Sequence, residues 1–390
     1  MRTRPPITRL VCRVFAALTL LPALIAVNLV VAPVAEAATT VNIANGDVAS
    51  FENAIYAANA GTPQIINLAA GGDYVLTTAF YDSYVANFSG LPEITGDVTI
   101  HGNGATIERS TAATDKFGIL DVAGSGTLKI DTTTITGGNN DNGYYKNGGG
   151  IYNNGTLIVT NCTISNNSAP GGGGGIYNYG SATVIGSTIA NNTAGSTASN
   201  SAGGGFDNVG SAAIIANSTI IGNFANYGGG GISSINNMSV INSTITGNTT
   251  SDFGDGILGL AGGVVTVTNS IVAGNGTVDV YGTVTNGGHN LIGGNPLLNP
   301  LASDGGPTQT MSLQSSSPAI DAGDDTICAA NPVNGIDQRG YSRPAGLHCD
   351  IGAYEYGASI SPTFTFDLST LGSKTYGDAS FSVAGYATEP

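Results

Sequence analysis

Along most of the chain, short runs of β-branched residues alternate with polar ones, and each run stops at Gly or Asn. Between residues 148 and 276 this pattern becomes a repeat. The copies read GGGIYNNGTLIVTNCTISNN from Gly148, GGGIYNYGSATVIGSTIANN from Gly173, GGGFDNVGSAAIIANSTIIGN from Gly203 and GGGISSINNMSVINSTITGN from Gly229. A looser copy, GDGILGLAGGVVTVTNSIVAGN, starts at Gly254. The apolar residue after the glycines falls at Ile151, Ile176, Phe206, Ile232 and Ile257, with spacings of 25, 30, 26 and 25. A second mark is an aliphatic residue three places before an Asn: Ile164/Asn167, Ile189/Asn192, Ile220/Asn223, Ile245/Asn248 and Val272/Asn275.

One such unit cannot bury its apolar face, but stacked units can. If each forms one turn of a solenoid, its strands pair in parallel with the turns above and below at about 4.8 Å, and Ile and Val line a continuous interior. The equivalent asparagines, Asn167, Asn192, Asn223, Asn248 and Asn275, then stack at a corner as a structural hydrogen-bonding ladder. No segment of the repeat has the 3.6 period of an amphipathic helix. A propeller blade needs about forty residues, and a leucine-rich repeat needs Leu-x-x-Leu spacing. The pattern therefore predicts an all-β fold, a right-handed parallel β-helix, over residues 38–300. Degenerate earlier strands are expected around Val98–Ile100, Ala105–Ile107, Thr127–Ile130 and Thr133–Thr136. One amphipathic segment stands apart. Asp47 to Ala60 reads as a short helix with Val48, Phe51, Ile55 and Ala58 on one face and Asp47 as its cap, placed to cover the N-terminal end.

Composition narrows the function classes. Of 390 residues 59 are Gly and only 15 Pro, in clusters that do not make a collagen period. The formal charge of −15, with 11 Lys and Arg, argues against a nucleic-acid partner, since phosphate binding draws on basic side chains. Four of those basic residues, Arg2, Arg4, Arg9 and Arg13, precede an apolar run that ends in Ala35-Glu36-Ala37. That is the pattern of a cleaved signal peptide over residues 1–37, so the protein is expected to be secreted or at the cell surface. No later apolar stretch is long enough for a transmembrane span in the mature chain. In an oxidising compartment Cys328 and Cys349 are expected to form a disulfide, whereas Cys162, in the place of Ser187, Ser218 and Ser243, reads as a small core residue.

The repeat resembles those of polymorphic outer-membrane proteins and of bacterial right-handed β-helix surface proteins. Residues 301–358, with their approach from Gly288, strengthen that likeness. GHNLIGGNPLLNPLASDGGPTQT from Gly288, SPAIDAGDD from Ser317 and DQRGYSRPAGLHCDIGAYEY from Asp337 are together similar to a choice-of-anchor Q region. The resemblance implies surface attachment through this region, which is expected to cap the solenoid, with Asp337 and Arg339 paired internally. Residues 359–390 read as a linker and, from Lys374-Thr375-Tyr376-Gly377-Asp378, as the start of an MBG-type domain.

Parallel β-helices also host polysaccharide lyases and hydrolases, so the carboxylates matter. Hydrolysis needs two carboxyl groups roughly 5 to 10 Å apart, and a lyase needs a base with carboxylates holding Ca²⁺. The regular stack is poor in both. Its close pair, Asp252 and Asp255, lies in a turn where Asp has a backbone role. If the chain is an enzyme, its acids are expected on the irregular early turns, at Asp115, Asp121, Asp131 or Asp141. His101, His289 and His348 make no zinc pattern. No cofactor is expected; Asp324, Asp325 and Asp337 leave a structural Ca²⁺ open. Tyr144, Tyr145, Tyr152, Tyr177, Tyr179 and Tyr227 lie near the Gly-rich turns, where ring faces suit stacking on an extracellular glycan or surface protein. The expected role is a non-catalytic adhesion surface or stalk, with a polysaccharide-active enzyme as the alternative.

Overall fold

The computed structural model describes residues 37–82, 87–142, 146–195 and 202–358, with the backbone alone of Asp82 and of an antiparallel pair, Thr363–Phe366 and Gly385–Thr388. Most of the predicted signal segment and the predicted MBG start lie outside the described residues. Within them the chain is a parallel β-solenoid, and its helices are Val48–Asn59 and the short Asp325–Ala329.

Each of the first four turns of the repeat carries four short strands. In the first they are Ile151–Asn153, Thr156–Thr160, Thr163–Ser165 and Ser168–Ala169, and each pairs in parallel with its equivalent one turn on. The register keeps like over like. Val159 lies beside Val184, then Ile215, Val240 and Val267, all at 0% exposure. Ile164, Ile189, Ile220, Ile245 and Val272 form a second buried row, and Ile151, Ile176, Phe206, Ile232 and Ile257 a third. Because side chains alternate along a strand, a slip of one residue would turn a whole row outward.

Two corners are set by residues with positive φ. One holds Asn161, Gly186, Asn217, Asn242 and Asn269, and the other Asn166, Asn191, Gly222, Gly247 and Gly274. Asn and Gly are the residues that enter this region at least cost. The residue after each corner does the bonding. After the second corner, Asn167 Nδ2 donates to Asn192 Oδ1 at 3.1 Å, Asn192 to Asn223, Asn223 to Asn248, and Asn248 to Asn275, each at 2.9 Å. The backbone N–H of each of the first four donates to the same oxygen. The amide dipoles thus align, and the last one ends on a carboxylate: Asn275 Nδ2 donates to Asp279 Oδ1 at 2.8 Å.

After the first corner stand Cys162, Ser187, Ser218, Ser243 and Ser270. Each serine Oγ accepts the N–H of its equivalent one turn earlier, at 3.1 to 3.2 Å. Cys162 opens this row at 0% exposure, and burial pushes its thiol up to about 12, so it is an inert packing group. A third row, not anticipated from the sequence, joins Asn153 to Asn178 at 2.6 Å, Asn178 to Asn208 at 2.7 Å and Asn208 to Ser234 at 3.0 Å.

The helix Val48–Asn59 connects the first rungs, Thr39–Ile43 and Gln64–Leu68. Asp47 Oδ1 accepts the Ser50 N–H at 3.1 Å, and Phe51, Ala54, Ile55 and Ala58 are buried against the core, with Phe51 edge-on to Tyr74. Full burial of Phe51 and Ile55 stabilises this end by roughly 1.5–3 kcal/mol each.

The region 301–358 departs from the expected end cap. Its contacts run along the side of four successive turns. Thr188 Oγ1 donates to Gln309 O, Thr219 Oγ1 to Gln338 Oε1 and Asn242 Nδ2 to Cys328 Sγ, while Ala353 N donates to Thr244 Oγ1. Cys328 and Cys349 are joined by a disulfide. The physical reason is a row of outward hydroxyls at Thr188, Thr219 and Thr244, which gives the segment a polar track to bond along.

Candidate functional site

The Gly-rich turns bring backbone against backbone. A Cβ on Gly150 would lie 2.6 Å from the Gly175 carbonyl oxygen, and one on Gly175 2.5 Å from that of Gly205, so no side chain fits at either position. The strands that follow form a second parallel sheet. Its register aligns Asp121, Tyr152, Tyr177, Asp207, Ser233, Leu258 and Tyr281 in one row. Since Leu120, Ile151 and Ile176 point into the core, strand alternation turns this row outward.

The row is unevenly accessible. Tyr152 is 7% exposed, and its ring stacks on Tyr177 with centroids 5.4 Å apart and planes 14° off parallel. These two tyrosines spend ring faces on each other. Tyr179 and Tyr227 are exposed, at 57% and 46%, whereas Tyr144 and Tyr145 lie outside the described residues. Phe253 and Tyr281, both about half exposed, form another stacked pair at 5.0 Å. Sequence reasoning missed that pair because Tyr281 sits beyond the last glycine repeat; its offset from Val280, matching Leu258 from Ile257, was the available signal.

Asp207 is buried within the same row, and burial raises its carboxyl to about 7, the neighbouring Ser233 hydroxyl opposing only part of the shift. Asp255 shows the opposite outcome. Burial raises it, but the N–H groups of Val278, Thr250 and Thr277 prevail and hold it below the usual carboxylate range. Asp255 is thus a turn anchor, bonding both its own loop and the next one.

The early-turn acids have separate partners. Asp115 is exposed, and its carbonyl oxygen accepts from Arg109. Asp131 lies on the principal sheet, with Oδ2 2.6 Å from His101 Nδ1. Asp121 belongs to the second sheet, is 1% exposed and accepts from Asn87 Nδ2 at 2.9 Å. Asn87 in turn accepts from Asn140, the neighbour of Asp141. Hydrogen bonds from Lys116 and Lys146 hold the Asp141 carboxyl below its ordinary range. Asp121 and Asp141 therefore share a polar neighbourhood, and Asp131 stands on a different sheet.

The three aspartates considered for Ca²⁺ are also engaged. Asp324 caps the short helix through Thr326 N, Asp325 accepts from Cys349 N and lies 2.9 Å from His348 Nδ1, and Asp337 grips Arg339. Among the described residues no group of three or more His, Cys, Asp or Glu side chains is arranged to hold a metal ion. The Arg339 guanidinium is 2.7 Å from Asp337 and lies over the Tyr354 and Tyr341 rings, at 3.6 and 4.2 Å from their centroids. Nearby, Arg343 and Glu355 are buried together, and burial raises Glu355 to about 7.

No family model matches the chain, and no curated protein matches it in sequence. Among solved structures, a crystal structure of pectate lyase Pel9A is similar, with a TM-score of 0.48 and 16% identity, over 83% of this chain and 97% of that one. At that likeness it carries no argument about chemistry, and the fold rests on the strand register described above. No helix among the described residues is long and apolar enough to cross a membrane.

Proposed function

We propose that the protein is an exported β-solenoid that serves as a rigid, non-catalytic adhesion surface or stalk, its partner an extracellular glycan or surface protein. The observation that carries this reading is the combination, on one stiff frame, of exposed rings at Tyr179, Tyr227, Phe253 and Tyr281. Aromatic faces held without loss of side-chain freedom on binding suit contact with sugars or with a protein partner. The resemblance of residues 301–358 to a choice-of-anchor region supports a place at the cell surface. The bonds that Asp115, Asp131 and Asp141 contribute to or border fit structural roles, and the reading requires no cofactor.

A second reading, a polysaccharide-active enzyme, draws on the Asp121–Asn87–Asn140 chain beside Asp141, Lys116 and Lys146. The test is an assay of the purified chain for unsaturated products or new reducing ends on acidic and neutral glycans, with and without Ca²⁺, run beside a glycan array. Binding without turnover supports adhesion. Turnover that Asp121→Asn abolishes overturns it in favour of the enzyme.

A further inference from the structure

The two ends of the stack are finished differently. At the first turns the helix Val48–Asn59 packs on the core and buries Phe51 and Ile55. At the other end the last strands are Val280–Gly282, Val284–Asn286 and Leu291–Ile292, and among the described residues each pairs only with the turn before it. Three of the buried rows stop there without cover. Val280 and Val284 are only half-buried, although their equivalents one turn earlier, Ile257 and Val265, are buried. Ile292 is 37% exposed, whereas its equivalent Val272 is fully buried. Residues 301–358 form no strand pair with this edge, and their bonds run back along the side of the stack.

The side-chain rows, by contrast, are closed. Asp279 Oδ1 ends the asparagine row by accepting both the N–H and the Nδ2 of Asn275, and Asn290 Oδ1 ends the serine row by accepting the Ser270 N–H. A further turn stacked in the same sense would need those rows to continue. What this end lacks is a partner for its strand edges and cover for its aliphatic side chains. The edge is also unguarded: from Val280 to Ile292 there is no Asp, Glu, Lys, Arg or Pro, the residues that keep an exposed edge from pairing. Tyr281, half exposed, already stacks on Phe253 at 5.0 Å. Such an edge meets a copy of itself through a two-fold axis across the end face, which sets the strands antiparallel, one strand on its own equivalent and the other two exchanged. We propose that two copies of the chain join end to end in this way, with Val280–Gly282 on the axis, into a closed dimer. Tyr281 then faces its own equivalent as a cross-strand pair and continues the ring stack begun at Phe253. Both far ends are helix-covered first turns, so no open last turn is left and growth stops at two. The dimer is independent of the adhesion reading.

The test is sedimentation equilibrium of the full secreted chain from about 1 to 100 μM, where a single monomer–dimer equilibrium is expected. Tyr281→Lys sets like charges opposite each other, and Thr285→Lys puts a charge on the edge; each is expected to weaken the dimer about tenfold. Both positions are exposed, so far-ultraviolet circular dichroism should not change. Tyr281→Cys is expected to cross-link two chains on mild oxidation, because residues facing each other across antiparallel strands lie within disulfide reach. Thr40→Cys, exposed on the first strand, should give no cross-link. A monomer throughout the range overturns the proposal; if its Val280–Asn286 amides nevertheless resist hydrogen exchange, the edge belongs to residues 359–390 instead. Oligomers that grow past two overturn it as well, as does a dimer that Tyr281→Lys leaves intact or that Tyr281→Cys does not cross-link.

Discussion

The regular stack and the segment that runs along its side solve the same problem in opposite ways. Both bury many polar groups. In the stack, each asparagine of the ladder and each serine after the first corner meets its own equivalent one turn away, so one residue type in one register serves every turn. In the flanking segment the buried charges have individual surroundings: Arg339 has Asp337 and two tyrosine rings, Arg343 lies beside Glu355 and donates to the Gly352 carbonyl, and Asp350 accepts the N–H groups of Asp321 and Tyr356. The first arrangement is modular and tolerates extension, whereas the second depends on each pair.

The largest expected effect breaks the modular side. Asn223→Leu removes the acceptor for both the N–H and the Nδ2 of Asn192 and the donor to Ile189 O, all in the buried interior. Chemical denaturation should show a loss of about 4 kcal/mol, the sum of several stranded groups. Asn275→Leu, at the ladder's end, should cost about half as much.

Next comes the aperiodic side. Arg339→Met leaves Asp337 buried without its cation and should cost about 3 kcal/mol. Replacing both Cys328 and Cys349 by Ser opens a loop with a sequence separation of 21 and should cost about 2–4 kcal/mol. Hydrogen exchange should show both losses in residues 301–358 before any loss in the stack, because the ladders do not depend on the segment.

A smaller, pH-resolved effect separates the two regions further. Asp207 in the stack has a folded pKa raised to about 7, so between the unfolded value near 3.9 and about 7 the native state binds more protons than the unfolded one. Its contribution is therefore fully present below about pH 4 and is lost as pH rises to about 7, with a slope of up to about 1.4 kcal/mol per unit. Asp207→Asn should remove that slope from urea-melt stabilities and leave the share due to Glu355 in the flanking segment, which has the same sign. Asp255, held low, works in reverse, losing its contribution only as pH falls below the normal carboxylate range. Smallest of all, Tyr179→Ala and Tyr227→Ala should change stability by less than about 0.5 kcal/mol while weakening partner binding.

The comparison also explains what was legible in the sequence. Ile164/Asn167 and its four equivalents recur at fixed spacing, and a recurring Asn after a buried aliphatic has one physical use in a stack. The helix cap at Asp47 and the facing row Phe51, Ile55 and Ala58 are local patterns and were readable for that reason. The side-on course of residues 301–358 was not, because it depends on Thr188, Thr219 and Thr244 aligning in space, while the sequence separates them by whole turns. The candidate site was less readable still. Burial of Tyr152 under a neighbouring ring and the Asp121–Asn87 bond both join residues from different turns, with no shared local signature.

The central claim is that the marked asparagines bond one another from turn to turn. Residue-resolved hydrogen exchange at the backbone amides of Asn167, Asn192, Asn223 and Asn248 tests it most directly, since each of those N–H groups donates to the next side-chain oxygen. The account predicts that all four exchange only through global unfolding, as slowly as the buried strands Ala182–Ile185 and Ala213–Ala216. Exchange at the rate of ordinary solvent-facing turn amides would contradict it.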